Sequence, residues 1–151
     1  MEAKVETLKY PWLKNYPKGV PHEISIDQNR SMVDLMEEAF RSYADRAAYI
    51  CMGQTVTFGQ LDTLTRQFAA YLQSLGLQKG DRIAIQMPNV LQYPVAMYGA
   101  FRAGLIVVNT NPLYTPREME HQFKDSGAKA IVILANFAQN LEKILDRTDI
   151  K

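Results

Sequence analysis

Met87-Pro-Asn-Val-Leu-Gln-Tyr-Pro-Val-Ala-Met-Tyr-Gly-Ala-Phe-Arg-Ala-Gly-Leu-Ile-Val-Val-Asn-Thr-Asn-Pro-Leu-Tyr-Thr-Pro-Arg-Glu-Met-Glu-His121 holds five successive structural elements in one run. It reads as a strand end, a buried helix, a buried strand, a polar loop and a sharply capped helix. The helix from Leu91 to Ala103 is apolar nearly all round, so it must be covered on several sides. Pro94 belongs near its first turn, where a missing N–H costs least. Thr115-Pro-Arg-Glu118 combines a capping threonine, proline at the first helical position and a reciprocal glutamate, the clearest helix start in the chain.

Working outward, Arg82 to Met87 is a buried-type strand, Leu105 to Asn109 another, and Lys129 to Leu134 a third, with helices at Leu91–Ala103 and Pro116–Ser126 between them. This is a βαβαβ run. Right-handed crossovers make such strands parallel and place helices on both faces, so the fold class is α/β with a partial open parallel sheet. Upstream, Ser31 and Asp34 form a capping box for a helix whose apolar positions Met32, Leu35, Met36, Ala39, Phe40 and Tyr43 are read as a core face. Ala47–Cys51 and Thr55–Phe58 flank a short turn and predict a β-hairpin. Its second strand leads into a helix capped by Thr57 and Gln60, striped by Leu61, Leu64, Phe68, Leu72 and Leu75, and stopped by Gly76. Phe137 to Leu145 predicts a last amphipathic helix. The domain reading is an N-terminal arm over 1–30 and one α/β unit over 31–151.

Composition bounds the function. The chain has 151 residues, 47% hydrophobic and 22% charged, the balance of an ordinary globular domain. Basic residues exceed acidic ones by one, 17 against 16, so no electrostatic footprint for nucleic acid is present. Cys51 is the single cysteine, which suits a reducing compartment. His22 and His121 lack a metal-ligand spacing, and no metal site is expected. Met1 to Leu8 has no apolar core of an export signal, and no apolar run approaches the ~20 residues that span a bilayer. The expected location is the cytoplasm. In Tyr10-Pro-Trp-Leu-Lys-Asn-Tyr-Pro-Lys18, three aromatic residues alternate with Lys14 and Lys18. An arm packed on its own domain is the favoured reading, and a place at a membrane interface the other.

Catalytic patterns are missing. Gly99-Ala-Phe-Arg-Ala-Gly104 has the glycine spacing of a phosphate-binding loop, but Leu105 and Ile106 stand where Lys and Ser or Thr should follow. It also lies at the end of a helix instead of its start. No nucleophile, base and orienting group can be assembled, so neither catalytic nor cofactor-binding residues are expected here. The best site candidate is the loop Asn109-Thr-Asn-Pro-Leu-Tyr-Thr115 at the carboxyl end of a strand, where open α/β sheets bind ligands; Asn109, Asn111 and Tyr114 are its substrate-pocket candidates. A purely structural loop, with its amides and prolines shaping the turn, is the stronger reading. Arg102 on the buried helix is read as a partnered structural charge.

The wording Thr57-Phe-Gly-Gln-Leu61, Lys79-Gly-Asp-Arg-Ile83, Met87-Pro-Asn89, Leu91-Gln-Tyr-Pro-Val-Ala96, Arg102-Ala-Gly104, Asn111-Pro-Leu-Tyr-Thr-Pro-Arg-Glu118 and Asp125-Ser-Gly-Ala128 resembles the N-terminal portion of bacterial long-chain fatty acid CoA ligases, of the acyl-adenylate-forming superfamily. The resemblance runs from about Trp12 to the last residue, and Met1 to Leu8 has no match in it. It implies an enzyme that uses ATP and Mg²⁺ to activate a long-chain fatty acid as an acyl-adenylate, then passes the acyl group to CoA. Adenylation turns a poor electrophile into a mixed anhydride that a thiol can attack. The family's phosphate-binding motifs would fall beyond Lys151, so the 151-residue chain is expected to be inactive alone. Peripheral association with the inner face of the membrane and a homodimer are the partners weighed with it. The alternative is a non-catalytic binding or oligomerisation module on the same scaffold.

Overall fold

The computed structural model describes residues 10–25 and 30–150, so the expectation for Met1 to Leu8 lies outside the described residues. Two compact units are present, Met1–Arg30 and Ser31–Lys151. In the first, a 3₁₀ turn over Pro11–Asn15 starts with proline at its first position and contains no buried residue.

The second unit begins with α1, Met32–Ser42, whose Ser31 side chain accepts from the Asp34 amide while the Asp34 carboxylate accepts from the Ser31 amide. Only part of the predicted stripe is core. Met36 and Phe40 are buried, whereas Met32, Leu35 and Tyr43 stay about half exposed. The hairpin follows as β1, Ala47–Cys51, and β2, Gln54–Thr57, paired antiparallel. Its turn holds Met52 at φ 51° and Gly53 at φ 77°. A two-residue hairpin turn of that hand needs both residues left-handed, a conformation that glycine adopts freely and methionine does not. The helix α2, Phe58–Ser74, carries the predicted Thr57–Gln60 capping box.

The parallel sheet has three strands, β3 (Arg82–Gln86), β4 (Ile106–Asn109) and β5 (Ala128–Ile133), in the order β4-β3-β5. Two helices form the crossovers, α3 (Gln92–Arg102) between β3 and β4, and α4 (Pro116–Ser126) between β4 and β5. Because the first crossover moves one way along the sheet and the second moves back past the start, right-handed connections put the two helices on opposite faces. Alternation along β3 records this. Ile83 packs with Ala69 and Leu72 of α2 and Ala100 of α3, while Ala84 packs with Met119 and Phe123 of α4.

The apolar helix α3 is covered from two sides, by α2 and by the sheet, with α1 adding a third contact. Gly99 makes the close approach to α2 possible. A Cβ there would lie 2.8 Å from Cδ1 of Phe68 and 3.2 Å from the Thr65 carbonyl oxygen, so the spacing that imitated a phosphate loop is a packing device. Gly104, at φ 78°, ends the helix as expected.

The expected helix over Phe137–Leu145 is corrected. The chain forms a 3₁₀ turn at Ala135–Phe137, a short α5 at Ala138–Glu142 and another 3₁₀ turn at Leu145–Arg147. No side chain caps α5, and the break lets both Ile144 and Ile150 turn into the core beside Phe123. A continuous helix would carry Ile150 away from that core.

Candidate functional site

Three loops leave the carboxyl edge of the sheet, after β3, β4 and β5. The loop after β3 leads to α3 on one face. The loop after β5 leads to α5, which packs beside α4 on the other face. Loops that diverge to opposite faces leave a crevice between the ends of β3 and β5, the place where open α/β sheets hold ligands. A cavity of about 560 Å³ occupies it, lined by Met87, Val90, Leu91, Val132 and Leu134 and by the hairpin residue Cys51. Next to it, a groove of about 480 Å³ runs between Val56, Leu64, Phe68 and Val95 and shares Met87 and Leu91 with the first. Both are mostly apolar in lining, with Gln92 reaching each and Gln54 the first. The thiol of Cys51 donates to the Asn89 carbonyl at 3.6 Å, tying the hairpin to the loop after β3.

Asn109 ends β4 and the loop after it carries Asn111 and Tyr114; the structure places all three along one edge of the sheet, with the side-chain oxygens of both asparagines engaged. Asn109 Oδ1 accepts from the Tyr93 hydroxyl at 2.5 Å, and its carbonyl accepts from Gln122 at 3.1 Å. Asn111 Oδ1 accepts from the Leu113 amide at 2.9 Å, an Asx turn. Tyr114 packs against the core around Met119 and Phe123. Beneath them Gln86 is fully buried and donates to the Asn111 carbonyl at 3.2 Å. Two amide oxygens at this edge, Gln86 Oε1 and Gln122 Oε1, are buried without a hydrogen-bond partner. None of these candidates lines the crevice between β3 and β5. The crevice is lined instead by Met87, Val90 and Leu91, just past the end of β3.

Arg102 is a structural charge. Its side chain is 7% exposed, pairs with Asp62 and lies 3.4 Å from Glu37, with the guanidinium 5.2 Å from the Phe40 ring centroid. It joins α1, α2 and α3. Elsewhere the titration shifts are modest in origin. Burial, and then the hydrogen bond with Tyr49, push the Tyr98 hydroxyl up to about 12. Hydrogen bonds from Thr115 hold Glu118 below its ordinary value, and the Lys124 ammonium does the same for Glu120.

ATP chemistry requires phosphate donors and a magnesium ligand set. Among the described residues no group of three or more His, Cys, Asp or Glu side chains can hold a metal ion. The helix start at the crevice has no side-chain cap, carries Pro94 in its first turn and faces mostly apolar side chains. Those residues do not fit a triphosphate, and no reaction step is assigned to them.

Comparison with known proteins gives the chain its place. Residues 36–151 match the AMP-binding enzyme family. The chain belongs to that family. It is 57% identical to a long-chain-fatty-acid–CoA ligase of Escherichia coli over 145 residues, which cover 95% of this chain and 26% of that protein. To the ligase of the same name from Bacillus subtilis it is 40% identical over 124 residues, 82% of this chain and 22% of that one. Among solved structures, a benzoate CoA ligase from Burkholderia xenovorans superimposes with a TM-score of 0.74 at 28% identity, covering 79% of this chain and 24% of that chain. A long-chain-fatty-acid-CoA ligase from Archaeoglobus fulgidus reaches 0.81 at 23% identity, over 90% of this chain and 29% of that one, which supports the fold. The chain thus spans about a quarter of the length of the curated relatives it matches.

Proposed function

We propose that this chain is the N-terminal part of an ATP-dependent long-chain fatty acid CoA ligase, which joins a fatty acid to CoA through an acyl-adenylate and releases AMP and pyrophosphate. The observation that carries the reading is the 57% identity to such a ligase across 95% of the chain. In this proposal the α/β unit is scaffold. ATP, Mg²⁺ and CoA are held mainly by other parts of the full-length polypeptide, a reading supported by the sequence's lack of a phosphate-loop motif and, among the described residues, of a metal-binding cluster. Asn109, Asn111 and Tyr114 enter as a preshaped wall beside the substrate pocket, their side chains setting the course of the loop. The enzyme is placed in the cytoplasm, working against the inner face of the membrane where long acyl chains partition, and as a homodimer. No described helix is long and apolar enough to cross a membrane.

The test is thioester formation by the full-length polypeptide, followed as loss of free CoA thiol with ATP and a series of acids. Palmitate is expected to be consumed and benzoate left. Preference for benzoate would replace the long-chain reading by an aromatic one. The absence of both activities, with a defined oligomer in light scattering, would favour the non-catalytic module.

A further inference from the structure

Three polar side chains meet the same face of the sheet at its carboxyl edge, under α4. Along β3, Ala84 packs toward Met119 and Phe123 of α4 and Ile85 packs toward Ala96 of α3, so alternation turns Gln86 back toward α4. Ile85 lies beside Asn109 in the parallel register, and the Thr110 amide continues the ladder by donating to the Ile85 carbonyl at 3.0 Å. Thr110 is therefore the neighbour of Gln86 and shares its face, while Asn109 turns the other way to Tyr93 of α3. Gln122 reaches this edge from α4 itself, its amide nitrogen donating to the Asn109 carbonyl at 3.1 Å.

The oxygens of this group are short of donors. Gln86 and Thr110 are buried, and Oε1 of both Gln86 and Gln122 is closed to solvent with no hydrogen-bond partner among the described residues. Neither amide can be turned over to cure this. Each nitrogen already donates to a backbone carbonyl, that of Asn111 for Gln86 and that of Asn109 for Gln122, and a reversed amide would set oxygen against oxygen. The Thr110 hydroxyl has only a 3.5 Å contact with the Val108 carbonyl, at the outer limit of a hydrogen bond. A buried acceptor without a donor is costly. Because these atoms are already sealed by this chain, polypeptide packed around it from outside does not reach them, and the donor has to sit within.

Two neutral acceptors and one hydroxyl match a water molecule, which gives two hydrogens and takes one. A hard cation fits worse, since it draws about six or more oxygens, carboxylates among them. We propose that one internal water is a fixed part of this edge, donating to Gln86 Oε1 and Gln122 Oε1 and accepting from the Thr110 hydroxyl. It ties β3, β4 and α4 together beneath the start of the Asn109–Thr115 loop, whose other flank Tyr93 holds.

A high-resolution crystal structure of the 151-residue chain tests this. One water peak is expected within ~2.7–3.2 Å of all three oxygens, and it should vanish in Gln122→Met. Absence of the peak in the parent, or its persistence in that variant, would overturn the proposal. So would a peak ringed by oxygens at ~2.3–2.6 Å, the signature of a cation. Thermal melts give a second reading without crystals. Gln86→Met and Gln122→Met should each lower the midpoint by about 2–4 °C, and the double variant should lose clearly less than the sum, because either change already unseats the shared water. Strictly additive losses would contradict it. Gln122 is only half-buried, so its variant is expected to fold even if Gln86→Met does not, and an unchanged midpoint there also sinks the proposal.

Discussion

The two crossover helices, α3 and α4, have the same length and lie on opposite faces of the same sheet, yet they are specified in different ways. The start of α4 is written locally: Thr115 caps it, Pro116 opens it, Glu118 closes the box, and Gly127 at φ 64° ends it. By contrast, α3 has no side-chain cap and carries Pro94 in its first turn. Its place is set by what it touches, through Gly99 against α2, Ala100 against the sheet and Arg102 against Asp62 and Glu37. Local signals therefore stabilise one helix, and tertiary packing holds the other. The apolar crevice between the ends of β3 and β5 lies beside the packed one.

Perturbations should separate the two. The largest loss is expected from Phe123→Ala, which empties the core under α4 and should cost about 3–5 kcal/mol in denaturant unfolding. A loss below 1 kcal/mol would mean that this face collapses around the gap. Gly99→Val should cost about 1–3 kcal/mol, because the added atoms meet the Phe68 ring and the Thr65 backbone where α3 packs on α2. A stabilised variant would show that α3 is governed by helix propensity after all. Thr115→Ala removes one cap and should cost about 1 kcal/mol. If it cost nothing, the local account of α4 would fail.

Titration should pull the same helices apart by smaller amounts. Glu118 and Glu120 on α4 have folded values below the ordinary 4.5, so their contribution is present above that pH and is lost as pH falls through the lowered values. Tyr98 on α3 behaves oppositely. Its value rises from 10.0 to about 12 on folding, so the folded chain holds the proton more tightly; that contribution is present below pH 10.0 and is lost as pH rises toward 12. The difference between thermal melts of the parent and Tyr98→Phe should change with pH only in the alkaline limb. Parallel curves there would remove Tyr98 from the account.

The same contrast explains what was legible in the residues. Capping boxes at Ser31, Thr57 and Thr115, the stops at Gly76 and Gly104, and the three strands follow from short-range rules, and all appear in the fold. Strand order does not follow from periodicity. The position of β3 between β4 and β5, and hence the crevice, arises only when both crossovers are closed. Helix stripes overstate the core where nothing in the described unit covers them, as at Met32 and Leu35. The tail departs from the expected helix because it breaks into short turns, after which Ile150 joins Ile144 in the core beside Phe123. For the site, the polar loop was visible through its amides, whereas their internal partners Tyr93, Gln86 and Gln122 lie too far away in sequence to be seen as partners.

In the proposed function a ligase scaffold is present here and the adenylating groups are supplied elsewhere in the full-length polypeptide. Palmitate-dependent exchange between ATP and pyrophosphate tests it directly, measured in parallel for the 151-residue chain and for the full-length polypeptide. Exchange is expected only in the full-length polypeptide. Exchange by the 151-residue chain alone would contradict the account.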